Sequence, residues 1–152
     1  MALDKTDRAI IEALLEDARI SQRQIATKVG VAQGTITNRL RRLESDGIIT
    51  GYTPLLDAES VGWGMTVMAG LCIEKGHVID VQKQISSDLR VFGVYDVTGD
   101  WDSMVLARVK DRKDLDDLTK TVFTLNGITR SYTHVVLNTV KETGVHLPPH
   151  DQ

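Results

Sequence analysis

Apolar residues recur along this chain in two different rhythms. Up to residue 47 the period is helical. Ile10, Ile11, Leu14, Leu15 and Ala18 mark one face of a helix over 4–18, with Asp4 at its N-cap and Asp7 three residues on. Ser21 and Gln24 then form a capping-box pair ahead of Ile25 and Val29, and Gly30 stands where two crossed helices need a residue that tolerates positive φ. Ile36, Leu40 and Leu43 stripe a third helix, which Gly47 stops. Three helices of this size enclose a core that is marginal alone and implies packing on something else.

From Ile48 to Asp57 the residues are apolar or β-branched but are interrupted by Gly51 and Pro54, which restricts the segment to an edge strand or an extended linker. Gly62 and Gly64 flank Trp63, read as a packing residue at a domain junction. Beyond it the rhythm changes. Met65, Val67, Ala69, Leu71 and Ile73 alternate as in a half-buried strand, and Val78, Val81 and Ile85 give a helix over 76–88. A strand over 90–98, the turn Gly99-Asp100 and a strand over 101–110 follow. After Asp111 a helix carries Leu115, Leu118, Val122 and Leu125 and ends at Asn126-Gly127, and 128–140 reads as a last long strand. The order βαββαβ predicts a ferredoxin-like domain, a four-stranded antiparallel sheet with both helices on one face.

The expected class is therefore α+β: a helix-turn-helix domain over 1–50, a β hinge or linker over 51–63, a ferredoxin-like domain over 64–142 and a flexible tail over 143–152. The other face of the sheet, assigned Met68, Cys72, Phe92, Val94, Val105 and Val109 or their alternates, is too apolar for water. A second copy packed face to face is the simplest cover, giving a homodimer.

Charge sharpens the picture. The chain carries a net charge of −3, yet from Arg19 to Arg42 it holds Arg19, Arg23, Lys28, Arg39, Arg41 and Arg42 with no Asp or Glu between them. A local excess of this kind suits phosphate, and its setting on an acidic body argues for a site-selective binder of double-stranded DNA over a general coater. Opposite the apolar stripe of the third helix lie Gly34, Thr37, Asn38 and Arg41, expected to face base edges, since Asn can pair with adenine and Arg with guanine. Ser21, Arg23, Arg39 and Arg42 are expected to hold phosphate. In a dimer two such helices expect half-sites about one helical turn apart, or multiples of that.

Other classes fare worse. Cys72 is the lone cysteine, which excludes an internal disulfide and fits a small buried hydrophobe in a reducing compartment. No signal-peptide pattern opens the chain and no apolar run approaches the roughly 20 residues that span a bilayer, so the expectation is a cytoplasmic protein without a membrane partner. His77, His134, His146 and His150 are scattered, and Pro148-Pro149 forbids a helical metal pair between the last two, so neither a metal site nor an enzyme is expected. No aromatic pair is placed to stack RNA bases. The rival is a ligand-binding or assembly protein without effective sequence-specific DNA binding, against which the cluster Arg39, Arg41 and Arg42 counts.

Three stretches carry a resemblance: Leu3-Asp4-Lys5-Thr6-Asp7, then Arg39-Leu40-Arg41-Arg42-Leu43-Glu44 before Gly47-Ile48-Ile49, and Val97-Thr98-Gly99-Asp100-Trp101-Asp102. In their order and spacing the chain resembles the leucine-responsive regulator and AsnC (Lrp/AsnC, feast/famine) family over nearly its whole length. The resemblance implies a transcription regulator whose second, RAM-type domain assembles dimers, often into octamers, and senses a free amino acid, with no other cofactor. It places the effector between neighbouring dimers, near the turn Gly99 to Asp102 and near Ser131 and Thr133. The chemistry fits a zwitterion, with Asp100 or Asp102 for its ammonium and the Gly99 N–H, Ser131 and Thr133 for its carboxylate. From the residues alone, Gly99-Asp100 reads as a hairpin turn. Two departures stand out. Ala32 occupies the recognition-helix N-cap where Ser or Thr is common, a loss of about 0.5–2 kcal/mol. Trp101 replaces a more usual Tyr, and Ser103 follows Asp102 where an aromatic or apolar residue is common, so the motif does not name the ligand.

Overall fold

The computed structural model describes residues 2–150. They divide into two compact units, residues 2–54 with 142–150 and Leu55–Lys141.

The helical unit holds α1 (Lys5–Glu16), α2 (Gln22–Val29) and α3 (Gln33–Ser45). Both α1 and α2 open on complete capping boxes, Asp4 with Asp7 and Ser21 with Gln24, which satisfy amides that a helix start leaves open. Gly30 takes φ 80° and makes the turn between α2 and α3. No side chain caps α3 at Ala32. Ile10, Ala13, Ile25, Ala26, Ile36, Leu40 and Leu43 are buried together as one core. Leu15 and Ala18, expected in that face, are exposed: α1 stops at Glu16, and Leu15 lies a further 100° round from Leu14, past the edge of the buried stripe.

The linker forms no strand among the described residues, and it closes in a turn in which the Trp63 N–H donates to the Ala58 carbonyl. Tyr52 returns to α3, its hydroxyl 2.9 Å from a Glu44 carboxylate oxygen; burial first and Glu44 second push the phenol up to about 12. The described part of the tail expected to be flexible, residues 143–150, belongs with Glu142 to the helical unit, where an Arg8 guanidinium donates to the Pro148 carbonyl.

The sheet unit runs β1 (Met65–Ile73), α4 (Val78–Ser86), β2 (Val91–Asp96), β3 (Ser103–Val109), α5 (Arg112–Thr121), a short 3-10 turn (Val122–Thr124) and β4 (Ile128–Val135). The strand order is β2-β3-β1-β4 with every neighbour antiparallel, which is the expected ferredoxin-like arrangement. Val67, Ala69, Leu71 and Ile73 of β1 and Val105, Ala107 and Val109 of β3 bury one face against Val81, Ile85, Leu118, Val122 and Phe123. The last strand is shorter than expected. Its final pairing, the Val136 N–H to the Thr66 carbonyl, uses up β1, which begins at Met65.

The assignment of the open face also changes. Val94, Val105 and Val109 belong to the helix-covered side, whereas Met68 and Phe92 lie exposed, with Tyr95 and Tyr132 beside them. A bulge between Val91 and Gly93 turns Phe92 to the open side, where the Arg108 guanidinium stacks 3.9 Å from its ring centroid. The open face thus carries Met68, Phe92, Tyr95 and Tyr132 together with the Arg108 guanidinium.

Arg90 ties the start of β2 to α5 by pairing with Asp88 (2.8 Å), Asp114 (2.9 Å) and Asp117 (2.9 Å). The Arg90 guanidinium holds the Asp88 carboxyl below its ordinary range. Burial pushes Asp114 the other way, but the Lys110 N–H and Arg90 outweigh it and its carboxyl is also lowered. Both carboxyls bind protons less readily folded than unfolded. Their stabilisation is therefore complete above about pH 4 and is lost as pH falls through the lowered values. Urea melts followed by the tryptophans, Trp63 and Trp101, both in this unit, should show the sheet unit weakening below pH 4, and Arg90→Met should flatten that slope.

Candidate nucleic-acid interface and effector site

The outer face of α3 is polar and open. Gly34, Asn38 and Arg41 are exposed, and neither the Asn38 nor the Arg41 side chain has a partner among the described residues. A Cβ placed on Gly34 would meet nothing within 4 Å, so another backbone can approach there. Thr37, half-buried beside them, contacts Gln22 Oε1 at 2.5 Å and the Gln33 carbonyl at 3.2 Å, which ties the faces of α2 and α3. Ser21 Oγ accepts the Gln24 N–H at 3.1 Å, leaving its own hydroxyl hydrogen to donate outward, and Arg23 is exposed on α2.

Arg39 and Arg42, expected to hold phosphate, both contact carboxylates of the first helix and its cap. Arg42 Nη2 spans both oxygens of Asp7, at 2.7 and 2.6 Å, and Arg39 Nη1 reaches Asp7 at 3.1 Å and also pairs with Asp4. Asp7 is 1% exposed. A carboxylate so buried requires charged partners, and α3 supplies them. Lys28 likewise pairs with Glu16 at 2.5 Å. Half of the six-cation excess is thus matched by carboxylates of α1 and its cap, leaving Arg19, Arg23 and Arg41 as its cations without an acidic partner among the described residues. In the sequence Asp4 and Asp7 read only as caps. Their spacing at the start of a helix facing an Arg-rich one was the signal for the second role. Hydrogen bonds from Arg39 and then from the Asp7 N–H hold the Asp4 carboxyl down at about 2. Thr35, Asn38, Arg39 and Arg42 line a shallow depression on this flank of α3.

In the sheet unit, Gly99 at φ 106° makes the turn between β2 and β3. Asp102 extends the pairing of β3, its N–H donating to the Leu71 carbonyl at 2.9 Å and its carboxylate accepting the Ile73 N–H at 2.8 Å. The Asp100 side chain is exposed, while its carbonyl accepts from the Cys72 thiol at 3.5 Å. The Trp101 indole lies on Gly70, with the Arg130 guanidinium 4.9 Å from its ring and Tyr132 at 6.2 Å; His134 stands 4.8 Å from Tyr132. Sequence reading did not foresee this aromatic and basic group, which alternation along β4 could have indicated. Ser131 and Thr133 sit opposite Leu71 and Ala69, so they point to the helix-covered side, away from Tyr132 and Trp101. Within one chain the turn and the two hydroxyls do not make one pocket.

Among the described residues no group of His, Cys, Asp and Glu could hold a metal ion, and no helix is long and apolar enough to cross a membrane.

Comparison with known proteins agrees with this layout. Residues 3–50 match the model of the winged helix-turn-helix DNA-binding family, and residues 66–145 match that of the Lrp/AsnC ligand binding domain. An uncharacterised HTH-type transcriptional regulator of Pyrococcus abyssi is 41% identical over 140 residues, covering 92% of this chain and 95% of that protein. Among solved structures, E. coli AsnC superposes with a TM-score of 0.90 at 22% identity, over 95% of this chain and 99% of that one. A Neisseria meningitidis transcriptional regulator in complex with L-methionine gives 0.87 at 26%, over 93% and 94%. With a helix-turn-helix unit in front and the ligand-binding domain behind, the chain belongs to the Lrp/AsnC family of transcriptional regulators.

Proposed function

We propose that the chain binds duplex DNA sequence-selectively through α3 and that a free amino acid, bound where dimers meet, modulates its assembly or its DNA affinity. The observation that carries the reading is the unpartnered row Gly34, Asn38 and Arg41 on a helix whose neighbouring arginines are already fixed by carboxylates. Thr37, Asn38 and Arg41 read base edges, Gly34 lets the backbone close in, and Ser21 and Arg23 hold phosphate. Arg42, committed to Asp7, holds α3 to α1 instead of a phosphate.

The exposed apolar face of the sheet supports a homodimer packed through that face, with octamers as the higher assembly. Gly99, Asp100 and Asp102 of one protomer and Ser131 and Thr133 of another then make up the effector site, since one protomer presents them on different sides. Asp100, exposed and free of a structural bond on its carboxylate, takes the ammonium; Asp102 holds the turn. The Neisseria regulator's methionine makes that amino acid the first probe.

Light scattering with each of the twenty amino acids, beside a gel shift on the DNA upstream of the protein's own gene, tests the whole reading. A dimer multiple that binds this duplex and responds to one amino acid supports it; binding without any response removes the effector site; no binding at low salt removes the DNA reading. Within it, Arg41→Ala should lower discrimination between cognate and altered sites by about 1–3 kcal/mol. Arg23→Ala should weaken all duplexes alike and reduce the slope of log K against log salt by about 0.9. Equal effects of both variants on every sequence would refute the division into base-facing and phosphate-facing side chains.

A further inference from the structure

We infer that Asp4 occupies Arg39 as an internal stand-in for DNA phosphate, and that duplex binding exchanges Arg39 from the Asp4 carboxylate to a phosphate while Asp7 keeps its arginine. The inference rests on the DNA-binding reading and adds to it a built-in competitor. The two carboxylates of the cluster differ in the one property that decides exchange. The Asp7 side chain is 2% exposed and its partner Arg42 covers both of its oxygens, so withdrawing Arg42 would strand a buried charge. The Asp4 side chain is 52% exposed, and water can solvate it as soon as Arg39 leaves. A surface ion pair is weak enough to be broken by a phosphate carrying a comparable charge.

Moving Arg39 also gives up its 3.1 Å contact with Asp7, but the caps and the Arg42 clamp stay in place. Asp4 Oδ1 accepts the Asp7 N–H at 2.8 Å, an N-cap bond that does not involve Arg39. Asp7 retains both Arg42 contacts and its bond from the Asp4 N–H at 3.2 Å. Arg39, with its side chain 28% exposed, already borders the depression it shares with Thr35, Asn38 and Arg42, beside the base-facing row. An anion settling there meets two guanidiniums, an amide and a hydroxyl. Asp4 is the only carboxylate of the cluster free enough to be displaced. Its low proton affinity keeps it charged throughout the working range, so DNA and not acidity drives the exchange.

Asp4→Asn separates these roles, because asparagine caps a helix about as well as aspartate but carries no charge to compete for Arg39. The full chain, wild type and variants, is titrated with one duplex upstream of its own gene by fluorescence anisotropy, with circular dichroism melts confirming the fold. Asp4→Asn should tighten binding about two- to fivefold, the range expected for releasing one surface ion pair. In an Arg39→Ala background the same change should have no effect, because the competitor has nothing to compete for. A gain that persists without Arg39 would show Asp4 acting only as a general negative charge near DNA, and would overturn the exchange. No gain in either background would overturn it too, with duplex binding by the wild type leaving the DNA reading intact. Wild-type chain that binds no duplex removes both.

Discussion

Replacing Arg42 with alanine should unfold the helical unit while leaving the sheet unit standing. Arg42 Nη2 contacts both oxygens of Asp7, a residue only 1% exposed; without it that charge keeps the longer Arg39 contact at 3.1 Å and the Asp4 N–H at 3.2 Å. Removing one partner of a buried ion pair costs about 3–5 kcal/mol, because the other charge stays desolvated. A three-helix unit of some sixty residues has little stability in reserve, so a loss of that size takes most of it. The two units can be followed separately, since both tryptophans, Trp63 and Trp101, lie in the sheet unit. Arg42→Ala should lower the helical ellipticity and its melting midpoint with the tryptophan transition nearly unmoved, and DNA binding should disappear with the helices. Adding Asp7→Asn removes the stranded charge and should recover about half of the loss, a rescue that a role for Arg42 through its aliphatic stem alone would not give. Full helical stability in Arg42→Ala would refute the clamp.

The difference between Arg41 and Arg42 shows how far the sequence could be read. The stripe Ile36, Leu40 and Leu43 fixed the inner side of α3, and counting round the helix put Asn38 and Arg41 outward, where they are. Arg39 and Arg42 sit on the flank, and their fate depends on which helix packs there. Periodicity within one helix carries no information about that neighbour, whereas the capping residues Asp4 and Asp7 are legible locally and were recognised as caps. Their ion pairs span 32 to 35 residues of sequence and are tertiary facts. The sheet behaved likewise. Alternation found β1 and β3 and the strand order followed from βαββαβ, but the bulge at Val91 to Gly93 shifted β2 against its partner and changed which side chains face outward. The length of β4 was set by where β1 begins, again outside the strand's own pattern.

Gly70 to alanine is the second change expected to have a large effect, and it bears on the proposed amino-acid response. A glycine in the middle of a central strand weakens that strand unless something must approach closely, and here the Trp101 indole does. A Cβ on Gly70 would stand 2.5 Å from the ring, with two more ring atoms at 2.7 and 2.8 Å, so the indole must lift off the sheet. Trp101 joins Asp100 to Asp102, and moving it carries the turn with it while breaking the stack with Arg130 and Tyr132. Overpacking of this kind costs about 1–3 kcal/mol, a cost that falls on the sheet unit. Because the turn is displaced as a whole, binding of whichever amino acid the wild type answers to should weaken by at least about tenfold, or 1.4 kcal/mol. Tryptophan emission gives an internal check, since Trp101 gains water in the variant while Trp63 stays as it was, and the spectrum should shift to the red. An unshifted spectrum would mean that the indole stays in place. A shifted spectrum with an unchanged amino-acid response would separate the turn from the effector and place the ligand elsewhere on the domain.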